Sequence, residues 1–170
     1  MVSAVQNEGN LSMWDWIWQG TDEWWRGAWC SVLLPLLVCA WGAYRHASCF
    51  KSTRFWALAS VCWLASVGTG EWRIDAESAS LHMLPVFFIS LAFLAYWKRL
   101  LEPLVAYAGC FITLFLADVT HAVWAFSSPG ANLSYLKGVG GAGLQDGLFM
   151  FPLLSALLML YARRRHLNKC

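Results

Sequence analysis

Charge is what this chain has least of. Only 13% of its 170 residues are Asp, Glu, Lys or Arg, while 59% are hydrophobic; a soluble domain carries about twice that charge. The balance excludes a globule with an ordinary water-solvated surface, and with a net charge of only +2 no nucleic-acid partner is expected. The alternation of apolar and polar residues that marks barrel strands is missing as well, because the apolar residues lie in continuous runs. A secretory signal is not expected either: the first ten residues hold no Lys or Arg, and no apolar segment leads to a cleavage site.

The cysteines do not form a disulfide framework. Of the six, Cys39, Cys62 and Cys110 fall inside apolar runs, Cys49 and Cys170 fall beside basic stretches, and only Cys30 approaches the opposite side. No C-x-x-C pair of the redox or zinc kind occurs, so these thiols read as small apolar packing groups. There is no His-Glu-x-x-His spacing. The Gly-rich segment from Gly138 to Gly143 lacks a following Lys-Ser or Lys-Thr and follows no strand, so it does not cradle a phosphate.

What the chain does have is five apolar runs, at 27–44, 55–70, 81–97, 104–126 and 143–162. At about 1.5 Å per residue, helices of roughly 17 to 25 residues cross a hydrocarbon core about 30 Å thick. The expected fold is therefore all-α: a polytopic transmembrane helical bundle of five spans, or four if the short second run is re-entrant. The domain plan is an external arm at 1–26, a transmembrane unit at 27–162 and a basic tail at 163–170. Nine of the twelve Lys and Arg residues follow the first, third and fifth runs: Arg45, Lys51 and Arg54; Lys98 and Arg99; Arg163, Arg164, Arg165 and Lys169. The opposite side receives most of the acids, among them Glu71, Asp75 and Glu77. The positive-inside bias then puts the amino terminus outside and the carboxyl terminus in the cytoplasm.

Twelve Trp residues fit the same picture, with Trp14, Trp16, Trp18, Trp24 and Trp25 making an interfacial arm. Asn10-Leu-Ser12 and Asn132-Leu-Ser134 match the glycosylation sequon on the expected outer side. Small residues recur at Cys62, Ser66 and Gly70, and at Gly143 and Gly147, spacings that let helix backbones approach. Pro35, Pro85 and Pro152 fall inside runs and are expected to kink their helices, whereas Pro103 suits a first helical turn. The five spans, the length and the many Trp residues resemble the tryptophan-rich sensory proteins, which bind tetrapyrroles and sterols. The repeated Trp and Pro patterns of that family's second to fifth spans are absent here, and the resemblance stops at gross architecture.

The residues most suggestive of chemistry are Asp118 and His121 in the fourth run, with His82 and Asp146 at the outer ends of the third and fifth. Ionisable groups within hydrocarbon cost at least about 2.5 kcal/mol on insertion scales, so they face a cavity or a partner. Three residues apart, Asp118 and His121 share a helix face. Such a cluster could relay protons or cations. Alternatively, His82, Asp118 and His121 could ligate a divalent transition metal, or Asp118 and His121 could simply pair. Three functions follow as expectations. The first is a small permease or channel-like subunit with a proton- or cation-responsive Asp/His pair. The second is a non-catalytic interaction protein, such as an immunity, exclusion or assembly factor. The third is a metal-dependent intramembrane enzyme acting on lipid. The first is preferred, with no enzyme activity expected. The expected surroundings are a lipid bilayer, specifically a bacterial inner membrane, with a homo-oligomer or a partner membrane protein.

Overall fold

The computed structural model describes residues 32–74, 79–96, 100–127 and 147–167. The amino-terminal arm, the Gly-rich segment and both sequons lie outside the described residues.

Six helices and one hairpin make up the described chain. The helices are α1 (Leu34–Arg45), α2 (Ala47–Phe50), α3 (Thr53–Gly68), α4 (Val86–Tyr96), α5 (Pro103–Ser127) and α6 (Gly147–Leu167). Between α3 and α4 run β1 (Glu71–Ile74) and β2 (Ala79–His82), paired antiparallel with Glu71 opposite His82 and Trp72 opposite Leu81. The all-helical expectation thus holds for the bundle, and the structure adds a short hairpin in a loop read only for its acids.

Two helices, over Pro103–Trp124 and Gly147–His166, are long and apolar enough to cross a membrane. The helix from the third run is shorter, an apolar segment over Val86–Tyr96. With 12 and 16 residues, α1 and α3 reach only about 18 and 24 Å at 1.5 Å per residue. The described helices therefore supply two of the five expected spans at full length.

Proline explains several boundaries. Pro103 opens α5, where its missing N–H costs nothing. Pro35 stands in the first turn of α1, directly after the helical residues Val32 and Leu33, Pro85 stands immediately before α4, and Pro152 lies inside α6. The kink expected at Pro85 is accordingly replaced by a helix start.

The core is built around α5. From Val105 to Phe111 every side chain position is buried, because α1, α3, α4 and α6 all pack against this helix. Close approach at two points depends on glycine: a Cβ on Gly109 would overlap the ring of Phe87, and one on Gly42 would lie 3.3 Å from the carbonyl oxygen of Leu104. The small face of α3 performs as the spacing implies. Ala59, Cys62 and Ser66 are all buried, and Cys62 Sγ lies 3.5 Å from Ser90 Oγ of α4.

Contacts at the ends fix the helix directions. Arg163 near the end of α6 meets Glu102 just before α5, while Gly42 near the end of α1 meets Leu104 at the start of α5. Both α1 and α6 therefore run antiparallel to α5. Trp63 and Val67 of α3 bond to Thr120 and His121 of α5, so those two run parallel. One end of the bundle consequently gathers the end of α1, α2 and the starts of α3 and α5 with the end of α6. The other gathers the hairpin and the far ends of α3 and α5.

Candidate functional site: a polar latch at the hairpin end

Apolar helices supply few hydrogen-bonding side chains, so where those few meet is informative. At the hairpin end, α3 stops after a 16-residue run and exposes carbonyls that its own backbone no longer satisfies. Thr69 serves this end twice: its N–H bonds to Ala65 O at 3.1 Å and its hydroxyl to Ser66 O at 3.0 Å. The Ser66 hydroxyl then donates to Leu84 O at 3.0 Å, and Leu84 N–H returns a bond to Thr69 Oγ1 at 3.2 Å. Leu84 precedes Pro85, where the chain turns into α4, so this exchange clamps the entry of α4 to the exit of α3.

A second clamp joins α3 to α5. The Trp63 indole N–H donates to Thr120 Oγ1 at 3.2 Å, and the Thr120 hydroxyl donates to Leu116 O at 2.6 Å. One residue on, His121 is 1% exposed, with Nε2 3.0 Å from Val67 O. A carbonyl oxygen only accepts, so in this bond Nε2 is the donor. The other ring nitrogen, Nδ1, is buried with no hydrogen-bond partner among the described residues. The imidazole fills the space that a side chain at Gly70 would take, and the Trp124 ring lies 6.1 Å away on the same helix.

Three of the four residues singled out in the sequence are described. His121 is buried in the latch, Asp118 is half-buried on α5, and His82 is exposed at the end of β2 opposite Glu71. Asp146 lies outside the described residues. The hairpin base does bring His82 to the same end as His121, since Glu71 follows the Gly70 against which the imidazole packs. Among the described residues, however, no three His, Cys, Asp or Glu side chains converge to hold a metal ion. Nε2 of His121 is directed at the last turn of α3.

Several functional contacts escaped the sequence reading. Gly70 was read as a small packing residue but not as the seat of an imidazole; a Thr-Gly pair closing an apolar run is the stop signal that could have shown it. At the opposite end, Arg163 makes a bidentate ion pair with Glu102, at 2.6 and 2.8 Å. Glu102 is the one acid between Glu77 and Asp118, standing three residues after Arg99, and that isolation was the available signal.

No family model and no solved structure matches the chain. It is similar to latent membrane protein 2 of Epstein-Barr virus, with 26% identity over 148 residues to the proteins of strains B95-8 and AG876. Identity to the strain GD1 protein is 26% over 151 residues. The alignments cover 85% of this chain but 26% of each relative, so the chain spans about a quarter of the length of the curated relatives it matches. These relatives are viral, and the expectation of a bacterial inner membrane gains nothing from them. The similarity and the two spanning-length helices both point to a membrane protein in contact with a lipid bilayer.

Proposed function

We propose that this chain is a multi-pass membrane protein that works by assembling with other membrane proteins, without moving a solute itself. The observation that carries this reading is the use made of the polar side chains. Trp63, Ser66, Thr69, Thr120 and His121 are engaged in bonds that tie α3 to α4 and α5. Polar groups in hydrocarbon join helices in this way, each bond contributing about 0.6 kcal/mol on average. The outward faces are correspondingly apolar: Leu37, Trp41, Val61, Leu64, Phe93 and Leu157 are all exposed. Those faces suit lipid tails or the helices of a neighbouring membrane protein. A five-span topology with the basic end in the cytoplasm fits the gathering of Arg45, Lys51, Arg54 and the end of α6 on one side of the bundle.

A transport reading is favoured by one feature, the buried His121, whose Nδ1 has no hydrogen-bond partner among the described residues and which stands three residues from Asp118 on the same helix face. Flux into sealed proteoliposomes separates the two readings. An assembly protein shows no proton or divalent-cation flux above empty vesicles and crosslinks in intact membranes to a second membrane protein. Flux that disappears in Asp118→Asn, with expression retained, would establish the permease instead.

A further inference from the structure

The bundle end opposite the hairpin carries an unusual concentration of cations. Arg45 closes α1, Lys51 and Arg54 flank the start of α3, and Arg163, Arg164 and Arg165 lie in the last turns of α6. Against these six stands Glu102 as the one described acid at that end, and it is already committed to Arg163. The other five cations have no carboxylate partner among the described residues.

Two of the five are held in a particular way. The Arg45 guanidinium lies 5.4 Å from the centre of the Trp41 ring, and that of Arg165 lies 5.1 Å from the Tyr161 ring. Both rings are exposed, at 54% and 55%. Stacking engages the face of a guanidinium and leaves its in-plane N–H fork free, and that fork matches the spacing of two phosphate oxygens. Trp and Tyr favour the headgroup level of a bilayer, so the aromatic partners set the depth at which the forks are presented. The two helices that carry these pairs end at one place. Gly42, three residues before Arg45, packs on Leu104, and Arg163, two residues before Arg165, clasps Glu102, so both helix ends lie beside the start of α5. A helix amino terminus there adds its own preference for anions.

The geometry points to a docking surface for anionic phospholipid headgroups at this end, with Arg45 on Trp41 and Arg165 on Tyr161 as its two phosphate forks. The inference rests on the membrane reading above and deepens it by naming the lipid class that the chain selects. The surface draws in lipids carrying a phosphodiester and net negative charge, such as phosphatidylserine, over phosphatidylcholine, and it does so at the lipid rim, without a closed cavity.

The test uses the full chain, extracted in mild detergent from vesicles of phosphatidylcholine mixed with a minor share of phosphatidylserine, and the lipid retained is counted by mass spectrometry. Retained phosphatidylserine is expected at several times its share of the vesicle. Arg45→Gln with Arg165→Gln brings that enrichment down to the vesicle share, and Arg45→Lys with Arg165→Lys keeps a part of it through charge alone. Both positions are exposed, and an unchanged melting temperature verifies that the fold is kept. Enrichment untouched by the Gln pair, or no enrichment in the wild type, overturns the proposal. Displacement of the lipid by inorganic phosphate alone at matched ionic strength overturns it too, because it reveals a free-anion site. A chain that needs detergent yet shows no lipid preference defeats only this inference, whereas a chain soluble without detergent defeats the membrane reading beneath it.

Discussion

Gly70 and His121 occupy one another's space: the imidazole of His121 stands where any side chain on residue 70 would have to go. The missing Cβ is what lets a helix exit, a hairpin base and a buried histidine meet in a single layer. The latch is therefore a property of two residues 51 positions apart, and it can be broken from either side.

Gly70→Ala forces the imidazole off Val67 O. The ring is flat and wedged, so it yields only with a shift of α3 or α5, and overpacking of this kind costs about 1 to 3 kcal/mol. Thermal unfolding in a fixed detergent should show the melting temperature falling. An unchanged value would mean that the hairpin end is loose enough to absorb a methyl group.

Substitutions at His121 should rank by shape before polarity. His121→Ala opens a cavity in a buried site and is expected to cost about 2 to 5 kcal/mol. His121→Phe keeps a ring there, loses one hydrogen bond worth about 0.5 to 1.5 kcal/mol and removes the orphaned Nδ1. The Phe variant is accordingly the more stable of the two by denaturation in mixed micelles. The reverse order would show that the histidine's polarity, not its volume, holds the end together.

The Trp63 to Thr120 bond is measurable as a coupling. Comparing Trp63→Phe, Thr120→Val and the double variant, a double-mutant cycle should return about 0.5 to 1 kcal/mol of interaction energy. Strict additivity would place the two side chains apart.

At the basic end, Arg163 and Glu102 are each 36% exposed, so solvent screens their attraction and even good bidentate geometry leaves about 0.2 to 1 kcal/mol. Glu102→Gln should lower the melting temperature slightly. The exchanged pair Glu102→Arg with Arg163→Glu should recover most of that loss, while either reversal alone should not. Equal behaviour of single and double reversals would show that the pair does not join α5 to α6.

Much of the bundle was legible because lipid imposes a simple rule, that long apolar runs become helices and small residues mark where helices touch. Cys62 and Ser66 behaved as their spacing implied, and Pro103 opened a helix as its chemistry requires. What the sequence left open follows from rotation and long-range pairing. A run of apolar residues all round does not say which way His121 points, so its contact with the end of another helix was not legible in the sequence. Pro85 looked internal because apolar residues continue on both sides of it, yet a helix begins directly after it. The hairpin was hidden by the acids of 71–77, which suggested a solvated loop, whereas pairing of Glu71 with His82 depends on residues eleven apart.

The most direct test of the latch is water access at position 121. In a background without other cysteines, His121→Cys and Glu71→Cys are exposed in intact membranes to a bulky, membrane-impermeant maleimide. With the side chain at 121 sealed between α3 and α5, the reagent should modify position 71 and leave 121 untouched until the chain is unfolded. Modification of 121 as fast as 71 would reveal an aqueous path through the hairpin end and contradict the account.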